Sequence, residues 1–277
     1  MRKGEIDVFV SHAQNFEDVM LDRVFRDERA GFYIDVGAWH PDKDSVTRHF
    51  YEKGWSGINI EPARSYFRLL QRQRTRDINL NVAIGRESGE LDFVEVPGSA
   101  MSSLKPEAVE RARRHGFASR SYRIPVMTLK DICAQHCAGR EIAFLKIDVE
   151  GLEKEVIESL DWAQSRPVVV VVEAVHPDTR QPDWSTWEPA LLAAGYTMVW
   201  FDGLNRYYLR GESAELAKHF VLPPNLFDGF VLEAGHPMTM RTTTRLSMLA
   251  SRLLPAAAYR MVESVWRSLR RLYHSGR

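Results

Sequence analysis

Short apolar segments alternate with helical patterns along most of this chain, and this alternation constrains the fold more than any other feature. Alternating strands and helices are typical of α/β proteins, in which helices cover both faces of a mostly parallel sheet. Each apolar segment includes an asparagine, aspartate or glutamate. The five segments are GFYIDVG, GWSGINIE, INLNVAIG, IAFLKIDVEG and PVVVVVEA.

The end of this region follows a different pattern. The segments YTMVWFDG and RYYLRG flank the turn Asp-Gly-Leu-Asn-Arg, which predicts an antiparallel hairpin. PVVVVVEA is the most apolar segment, as expected for a strand in the interior of a parallel sheet. We therefore predict a doubly wound, mostly parallel α/β domain over roughly residues 10–235.

Helices are predicted where apolar residues recur at helical spacing, namely at 14–29, 42–53 and 185–194 and in ARSYFRLLQRQR and LEKEVIESL. Thr128, three residues before Asp131, is a variant capping box that begins the helix TLKDICAQH. LDFVEV is predicted as a small added strand. Residues 97–123 are polar and rich in arginine, which favours a flexible cover that recognises substrate.

Composition excludes several classes of protein. The chain has 37 basic and 37 acidic residues, which argues against global nucleic-acid binding. We expect no transmembrane helix, since no apolar run of about 18 residues occurs, and no signal peptide. Cys133 and Cys137 are interpreted as packed, reduced thiols rather than as a disulfide or a zinc site, which predicts a cytoplasmic protein.

Polar residues follow the predicted strands at the positions where each strand ends. In an open parallel sheet these carboxyl ends share one edge, where ligands bind. Gly37 lets the backbone turn tightly and approach a ligand closely. Glu61 can accept hydrogen bonds from two ribose hydroxyls. The residues at this edge are Asp35, Gly37, Ala38, Glu61, Pro62, Asn81, Val82, Ala83, Asp148, Glu150, Glu173 and His176.

The first loop carries one glycine, followed by the bulky sequence Trp39-His40-Pro41. A dinucleotide site needs G-x-G-x-x-G to seat a pyrophosphate. The second and third glycines of that pattern are absent. A nucleoside without phosphates therefore fits better, which favours S-adenosylmethionine (SAM) over NAD and makes an NAD oxidoreductase a distant alternative.

The ordered series of motifs resembles the FkbM family of SAM-dependent methyltransferases. The resemblance covers about residues 11–210, and LKIDVEG after IDVGA is its most specific pair. The matching segments are QNFEDVML, GFYIDVGAWHP, GWSGINIEP, NVAIG, MSSL, VMTLKDI, LKIDVEGLEKEVI, VVVVVEAVHP and DGLNRYYL.

The resemblance implies a class I methyltransferase fold, with a seven-stranded, mostly parallel sheet that ends in the antiparallel hairpin. It also implies roles for residues at the sheet edge. Asp35, Gly37 and Ala38 would line the methionine end of SAM, and Glu61, followed by Pro62, would hold the ribose. Further implied contacts are Asn81, Val82 and Ala83 at the adenine, Gln14 and Glu17 near the cofactor or substrate, and Asp148 at the methyl group.

Family members methylate hydroxyls of sugars and of polyketides or related natural products. A sugar hydroxyl is a weak nucleophile, so it needs a base or a metal. In one route Asp148, Glu150 or His176 is the general base. In the other, Asp148 and Glu173 hold Mg²⁺, which lowers the pKa of the hydroxyl. For both residues a non-catalytic role is the alternative. Glu150 would interact favourably with a helix dipole, and His176 would close a loop.

Substrate contacts are predicted at Ser102, Ser103 and His40. Arginines between Arg111 and Arg123 are candidates to meet a phosphate of a nucleotide sugar or a lipid-linked glycan. A solvated basic helix is the alternative for that stretch.

Residues 241–277 contain eight arginines and one glutamate, a net charge of +7 that leaves −7 for the rest of the chain. We predict two domains, a methyltransferase domain at 1–238 and a basic amphipathic helical tail at 239–277. The tail is suited to peripheral contact with an anionic membrane at its inner face, to self-association, or to packing on the body.

The leading functional prediction is an O-methyltransferase that acts on a sugar of a bacterial-type glycan. The alternatives are an O-methyltransferase of a natural product, and a non-catalytic SAM-binding module that serves a glycosyltransferase partner. Nucleic-acid methylation is disfavoured, since the basic charge lies in the tail and not at the sheet edge.

Overall fold

The computed structural model describes residues 9–96, 119–176, 179, 181–233, 236 and 238. The chain divides into two compact units, Met1–Glu233 and Ala234–Arg277. The described strands and helices all belong to the first unit. Ser102, Ser103 and the tail predicted at 239–277 lie outside the described residues.

The strands of the described part are β1 (Phe9–Ser11), β2 (Phe32–Val36), β3 (Ser56–Ile60), β4 (Ile78–Leu80), β5 (Ala83–Ile84), β6 (Gly89–Glu95), β7 (Arg120–Met127), β8 (Phe144–Ile147), β9 (Val169–Glu173), β10 (Tyr196–Phe201), β11 (Asn205–Arg210) and β12 (Phe230–Leu232). Its α-helices are α1 (Glu17–Phe25), α2 (Arg48–Glu52), α3 (Arg64–Gln73), α4 (Leu129–His136), α5 (Glu153–Glu158) and α6 (Glu188–Ala193). Two 3₁₀ helices follow, at Gly211–Phe220 and Leu226–Asp228.

The main sheet has the strand order β10-β11-β9-β8-β2-β3-β4. Its pairs are parallel except for those of β11, which is antiparallel to β9 and β10. The prediction of a mixed α/β fold with a mostly parallel sheet is confirmed, and so is the antiparallel hairpin. In register, Val36 lies opposite both Ile60 and Ile147, so the loops after β2, β3 and β8 begin at one level of the sheet.

Helices cover both faces of this sheet, because successive strand residues point to opposite sides. In β9, Val170 and Val172 belong to one apolar cluster, together with residues of α4, α5 and α6. Val169 and Val171 belong to a second cluster, with residues of α1 and α2. Each of these four valines is at most 1% exposed, and full burial of such a side chain contributes about 1.5–3 kcal/mol.

The segment INLNVAIG forms two strands rather than the single strand predicted. β4 belongs to the main sheet, whereas β5 pairs with β7 in a separate sheet of order β5-β7-β6. Asn81 lies between β4 and β5, and its side-chain amide donates to the carbonyls of Glu61 and Pro62, at 2.9 Å each. These bonds hold the chain at the point where it leaves the main sheet.

The prediction of a polar cover at 97–123 is wrong for its last residues. From Arg120 onward they belong to strand β7. The alternating Ile124 and Val126 are buried against Phe93 of β6. This period of two was visible in the sequence SYRIPVM but was outweighed by its arginines.

The helix predicted over 42–53 is limited to Arg48–Glu52. The buried side chain of Arg74 explains the shortening, because its guanidinium donates to the carbonyls of Pro41 and Thr47 and to the Ser45 hydroxyl. Residues 41–47 are thereby held as a loop.

The first helix begins at Glu17 rather than at residue 14, since Phe16 has a positive φ of 67°. The capping prediction at Thr128 is confirmed, because its side chain accepts a hydrogen bond from the Asp131 amide at 3.0 Å. Cys133 and Cys137 are buried free thiols at α4. Within the described ranges, no helix combines the length and apolar character needed to cross a bilayer.

Candidate active site

An open cavity of about 230 Å³ lies at the carboxyl ends of the parallel strands. The predicted site residues that line it are Gln14, Gly37, Ala38, Glu61, Pro62, Val82, Ala83, Asp148, Glu150 and Glu173. Residues that were not predicted for the site also line it, among them Trp39, Asp44, Ile60, Tyr66, Ile84, Phe93, Lys146 and Leu152.

Gly37 forms the floor of the cavity where β2 ends. Its φ is +79°, and a Cβ on this residue would lie 1.8 Å from the carbonyl oxygen of Asp148. The Gly37 amide donates to the Ile60 carbonyl at 3.0 Å, and the Asp148 amide donates to the Val36 carbonyl at 3.0 Å. These contacts bring the loops after β2 and β8 together, and only glycine permits both the turn and the close approach.

Glu61 is buried where β3 ends. One carboxylate oxygen accepts the Trp39 amide at 2.8 Å, and the other accepts the Ala63 amide at 2.7 Å. Burial raises the pKa of Glu61 to about 7, against the opposing effect of these two hydrogen bonds. Each oxygen keeps a second lone pair, so the carboxylate can still accept bonds from a ligand with two adjacent hydroxyls.

The wall beside Glu61 is apolar. Ala83 and Phe93 pack together with the ring of Tyr66 in one buried cluster. Ile60, Val82 and Ile84 line the same cavity. An apolar slot next to a carboxylate that accepts hydrogen bonds suits a nucleoside, whose base is flat and largely apolar and whose ribose carries hydroxyls.

Lys146 is a largely buried cation in the wall of the cavity, and sequence reasoning missed it. Its ammonium lies 3.2 Å from Asp148 Oδ2 and 3.6 Å from Asp35 Oδ1, and it donates to the Gly37 carbonyl at 3.3 Å. Burial opposes its charge, but the carboxylates of Asp148 and Asp35 outweigh burial and raise the pKa of Lys146. The available signal was a charged residue inside the apolar run IAFLKI.

Asp148 and Glu173 end the neighbouring strands β8 and β9, as predicted. Asp148 has 32% of its side chain exposed in the cavity, so it can reach a ligand. Burial, together with the negative charges of Asp148 and Glu150, raises the pKa of Glu173 well above its usual range. The raised pKa favours the neutral carboxyl of Glu173, which can donate a hydrogen bond to Asp148.

Several residues predicted for the site do not line the cavity. Asp35 is 2% exposed and lies beneath the floor, where its carboxylate accepts from Thr47. Asn81 holds the carbonyls of Glu61 and Pro62. His40 uses Nδ1 to accept the backbone amides of Asp42 and Lys43.

His176 and Glu17 are also placed away from the cavity. His176 accepts the Thr179 amide in the loop after β9, at 3.4 Å. Glu17 is buried at the start of α1 and accepts from Asn15 and Asn205, so it connects that helix to the β10–β11 hairpin. Glu150 lines the cavity from a loop position with a φ of +57°.

These contacts do not support the Mg²⁺ site predicted at Asp148 and Glu173. Among the described residues, no group of three or more histidine, cysteine, aspartate or glutamate side chains is arranged to hold a metal ion. Lys146 also occupies one side of Asp148, where its positive charge would repel Mg²⁺.

The sheet and its cavity define an α/β protein with a ligand-sized cavity at the carboxyl ends of its parallel strands. The chain belongs to the FkbM methyltransferase family, since the model of the methyltransferase FkbM domain matches residues 35–198, more than half of the chain. It is accordingly a methyltransferase. A search among curated proteins gives no match.

Proposed function

We propose that this protein is a SAM-dependent O-methyltransferase that methylates a hydroxyl of a sugar. The observation that carries the proposal is the pairing of two carboxylates in one cavity. Glu61 is suited to a ribose, and the partly exposed Asp148 lies at the end of the central strand, next to Lys146. FkbM membership supports the methyl transfer, and the resemblance to enzymes that methylate sugars supports the acceptor class.

The charges around the cavity fit SAM better than a phosphorylated cofactor. Its described lining includes one lysine, Lys146, and five acidic residues, of which Glu173 has a strongly raised pKa; the five are Asp44, Glu61, Asp148, Glu150 and Glu173. SAM carries a positive sulfonium and an α-ammonium group, which such a lining attracts, whereas a pyrophosphate would be repelled. In this proposal Glu61 holds the ribose, Val82 and Ala83 flank the adenine, and Gly37 and Ala38 border the methionine end.

SAM supplies the methyl group as an electrophile. Transfer of that methyl group would leave S-adenosylhomocysteine as the neutral thioether, and the proton of the acceptor hydroxyl would need a base of this chain to accept it. Asp148 takes that proton, since it lies at the cavity and is held by Lys146 at 3.2 Å. Lys146 and the neutral Glu173 position the carboxylate, and Glu150 is a second candidate base on the same loop.

Cofactor affinity is expected to fall as the pH drops below about 7. The pKa of Glu61 is raised to about 7, and the ribose hydroxyls need the ionised carboxylate. Below that pKa the free protein must release a proton in order to bind, which costs up to about tenfold in affinity per pH unit. Calorimetry with S-adenosylhomocysteine between about pH 6 and pH 8 measures this. Glu61→Gln should bind weakly with a flat profile, and an unchanged pH dependence in that variant would contradict the assignment.

Glu173→Gln is expected to keep methyl transfer within about tenfold of wild type at neutral pH, because an amide can replace a neutral carboxyl as a hydrogen-bond donor. Glu173→Ala has no donor and should lose more. Initial rates of the two variants provide the comparison. An inactive Glu173→Gln, together with loss of wild-type activity on chelation, would show instead that Glu173 must be ionised to hold a metal.

The reaction itself is tested with SAM that carries a labelled methyl group and a panel of oligosaccharides, with phenolic and polyketide-type alcohols as the comparison set. The expected product is a methyl ether on a sugar hydroxyl, identified by mass spectrometry. A methyl ester, an N-methyl product, or transfer to the comparison alcohols alone would overturn the proposal.

A further inference from the structure

The most exposed apolar side chains of the described region are concentrated in one short segment, residues 221–231, which we name the apolar turn. Leu226 is 90% exposed and Phe227 is 91% exposed. Val221, Leu222 and Val231 are also exposed, at 69%, 61% and 48%. Single exposed apolar residues are normal on a protein surface, but a cluster of five marks an interaction site.

The apolar turn is held in place at both ends. On one side, the ring of Phe220 is buried against Tyr207. On the other side, Phe230 of β12 packs against Phe9 and Phe16. A capping box between Asn225 and Asp228 fixes the short 3₁₀ helix that presents Leu226 and Phe227. The exposure is thus a property of a built structure and not of a frayed end.

Arg23 of α1 provides the main anchor beneath the turn. Its guanidinium donates to the carbonyls of Leu222 and Pro223 and to both carboxylate oxygens of Asp228. These bonds leave the apolar side chains on the outer surface. They also neutralise the acidic residue nearest to the tip.

Three basic residues, Lys218, Arg23 and Arg26, lie near His219 beside the turn, and two of them are paired, Arg23 with Asp228 and Arg26 with Asp22. Burial lowers the pKa of His219, and the positive charges of Lys218, Arg23 and Arg26 lower it further. Hydrogen bonding to Arg23, assisted by the charges of Arg23 and Arg26, outweighs burial and lowers the pKa of Asp228. In the sequence, residues 241–277 contain eight arginines and one glutamate.

We propose that the apolar turn is a membrane-contact site that inserts Leu226 and Phe227 into the interface of an anionic bilayer. Apolar tips flanked by cations match such an interface, in which acyl chains lie beneath negatively charged headgroups. The positive charge of residues 241–277 would add attraction to anionic headgroups. This inference is independent of the proposed reaction, and either can fail alone.

The experiment uses the full chain and vesicle flotation. Vesicles of phosphatidylcholine alone are compared with vesicles that also contain phosphatidylglycerol. Wild type should float with the anionic vesicles, and the bound fraction should fall at high salt. Leu226→Ser combined with Phe227→Ser should lower the partition coefficient at least about tenfold, since two apolar side chains no longer leave water. Leu192→Ser is the matched control, because Leu192 is 49% exposed on α6, outside the turn.

The possible outcomes distinguish an anionic membrane from a second copy of this chain as the partner of the apolar turn. Absence of wild-type binding to anionic vesicles would overturn the proposal, and so would equal binding by the double variant, which would assign binding to the arginine-rich stretch alone. A wild-type dimer that the double variant converts to a monomer, seen by light scattering without vesicles, would instead identify the turn as a self-association surface. Thermal unfolding should be unchanged in the double variant, because both side chains are about 90% exposed.

Discussion

Asp148→Asn is expected to lower methyl transfer by about 10²- to 10⁴-fold while the protein stays folded and still binds S-adenosylhomocysteine. The amide keeps the shape of the side chain but cannot accept the hydroxyl proton. Binding should survive, because the ribose contact assigned to Glu61 and the apolar wall are untouched. The measurement is the single-turnover rate with saturating SAM, alongside calorimetry with S-adenosylhomocysteine.

Glu150→Gln is the matched control, since Glu150 lines the same cavity two residues along the chain. If Asp148 is the base, the control should stay within about tenfold of wild type, the range of a lost neutral hydrogen bond. Lys146→Met should fall between the two, because it removes the ammonium that holds Asp148 without removing the base. Near-normal turnover of Asp148→Asn, or a greater loss in Glu150→Gln, would move the role of base away from Asp148.

Much of the cavity could be predicted because it depends on local rules. Gly37, Glu61 and Asp148 each follow an apolar strand, and the carboxyl ends of parallel strands meet at one edge of the sheet. The continuous apolar run of β9 also made its burial on both faces predictable. Residue type and position in the chain were sufficient for these features.

The contact between Lys146 and Asp35 could not be predicted from local sequence rules. In register they lie directly opposite each other on β8 and β2, two strands that are far apart in sequence. The side-chain period of two can place each residue on a face, but it cannot say which strand is the neighbour. Asp35 was therefore assigned to the cofactor, although its carboxylate lies beneath the cavity and faces the Lys146 ammonium.

Arg74 and Asn81 illustrate the same limit for loops. Arg74 shapes residues 41–47 from α3, about 30 residues later in the chain. Asn81 was predicted to contact adenine, but its amide satisfies two backbone carbonyls instead. Buried backbone groups need partners, and which side chain supplies them depends on the tertiary structure.

Gly37→Ala is expected to lower the free energy of unfolding by about 2–5 kcal/mol, a large fraction of the 5–15 kcal/mol typical of a domain. A non-glycine residue at a φ of +79° costs about 1–2 kcal/mol. The added Cβ would also lie 1.8 Å from the Asp148 carbonyl oxygen, and relief of such overpacking costs about 1–3 kcal/mol more. Since the atom in the way is backbone, the loop that carries Asp148 must move, so methyl transfer should be lost as well.

Gly139→Ala separates the two contributions. Gly139 has nearly the same φ, +73°, but a Cβ there meets no atom within 4 Å. Gly139→Ala should therefore lower the free energy of unfolding only by the cost of the positive φ, about 1–2 kcal/mol, and keep wild-type activity. Urea unfolding with a constant m value measures both variants. Equal losses in the two would mean that the contact between Gly37 and the Asp148 carbonyl is relieved without strain, and that the cavity floor does not depend on glycine at position 37.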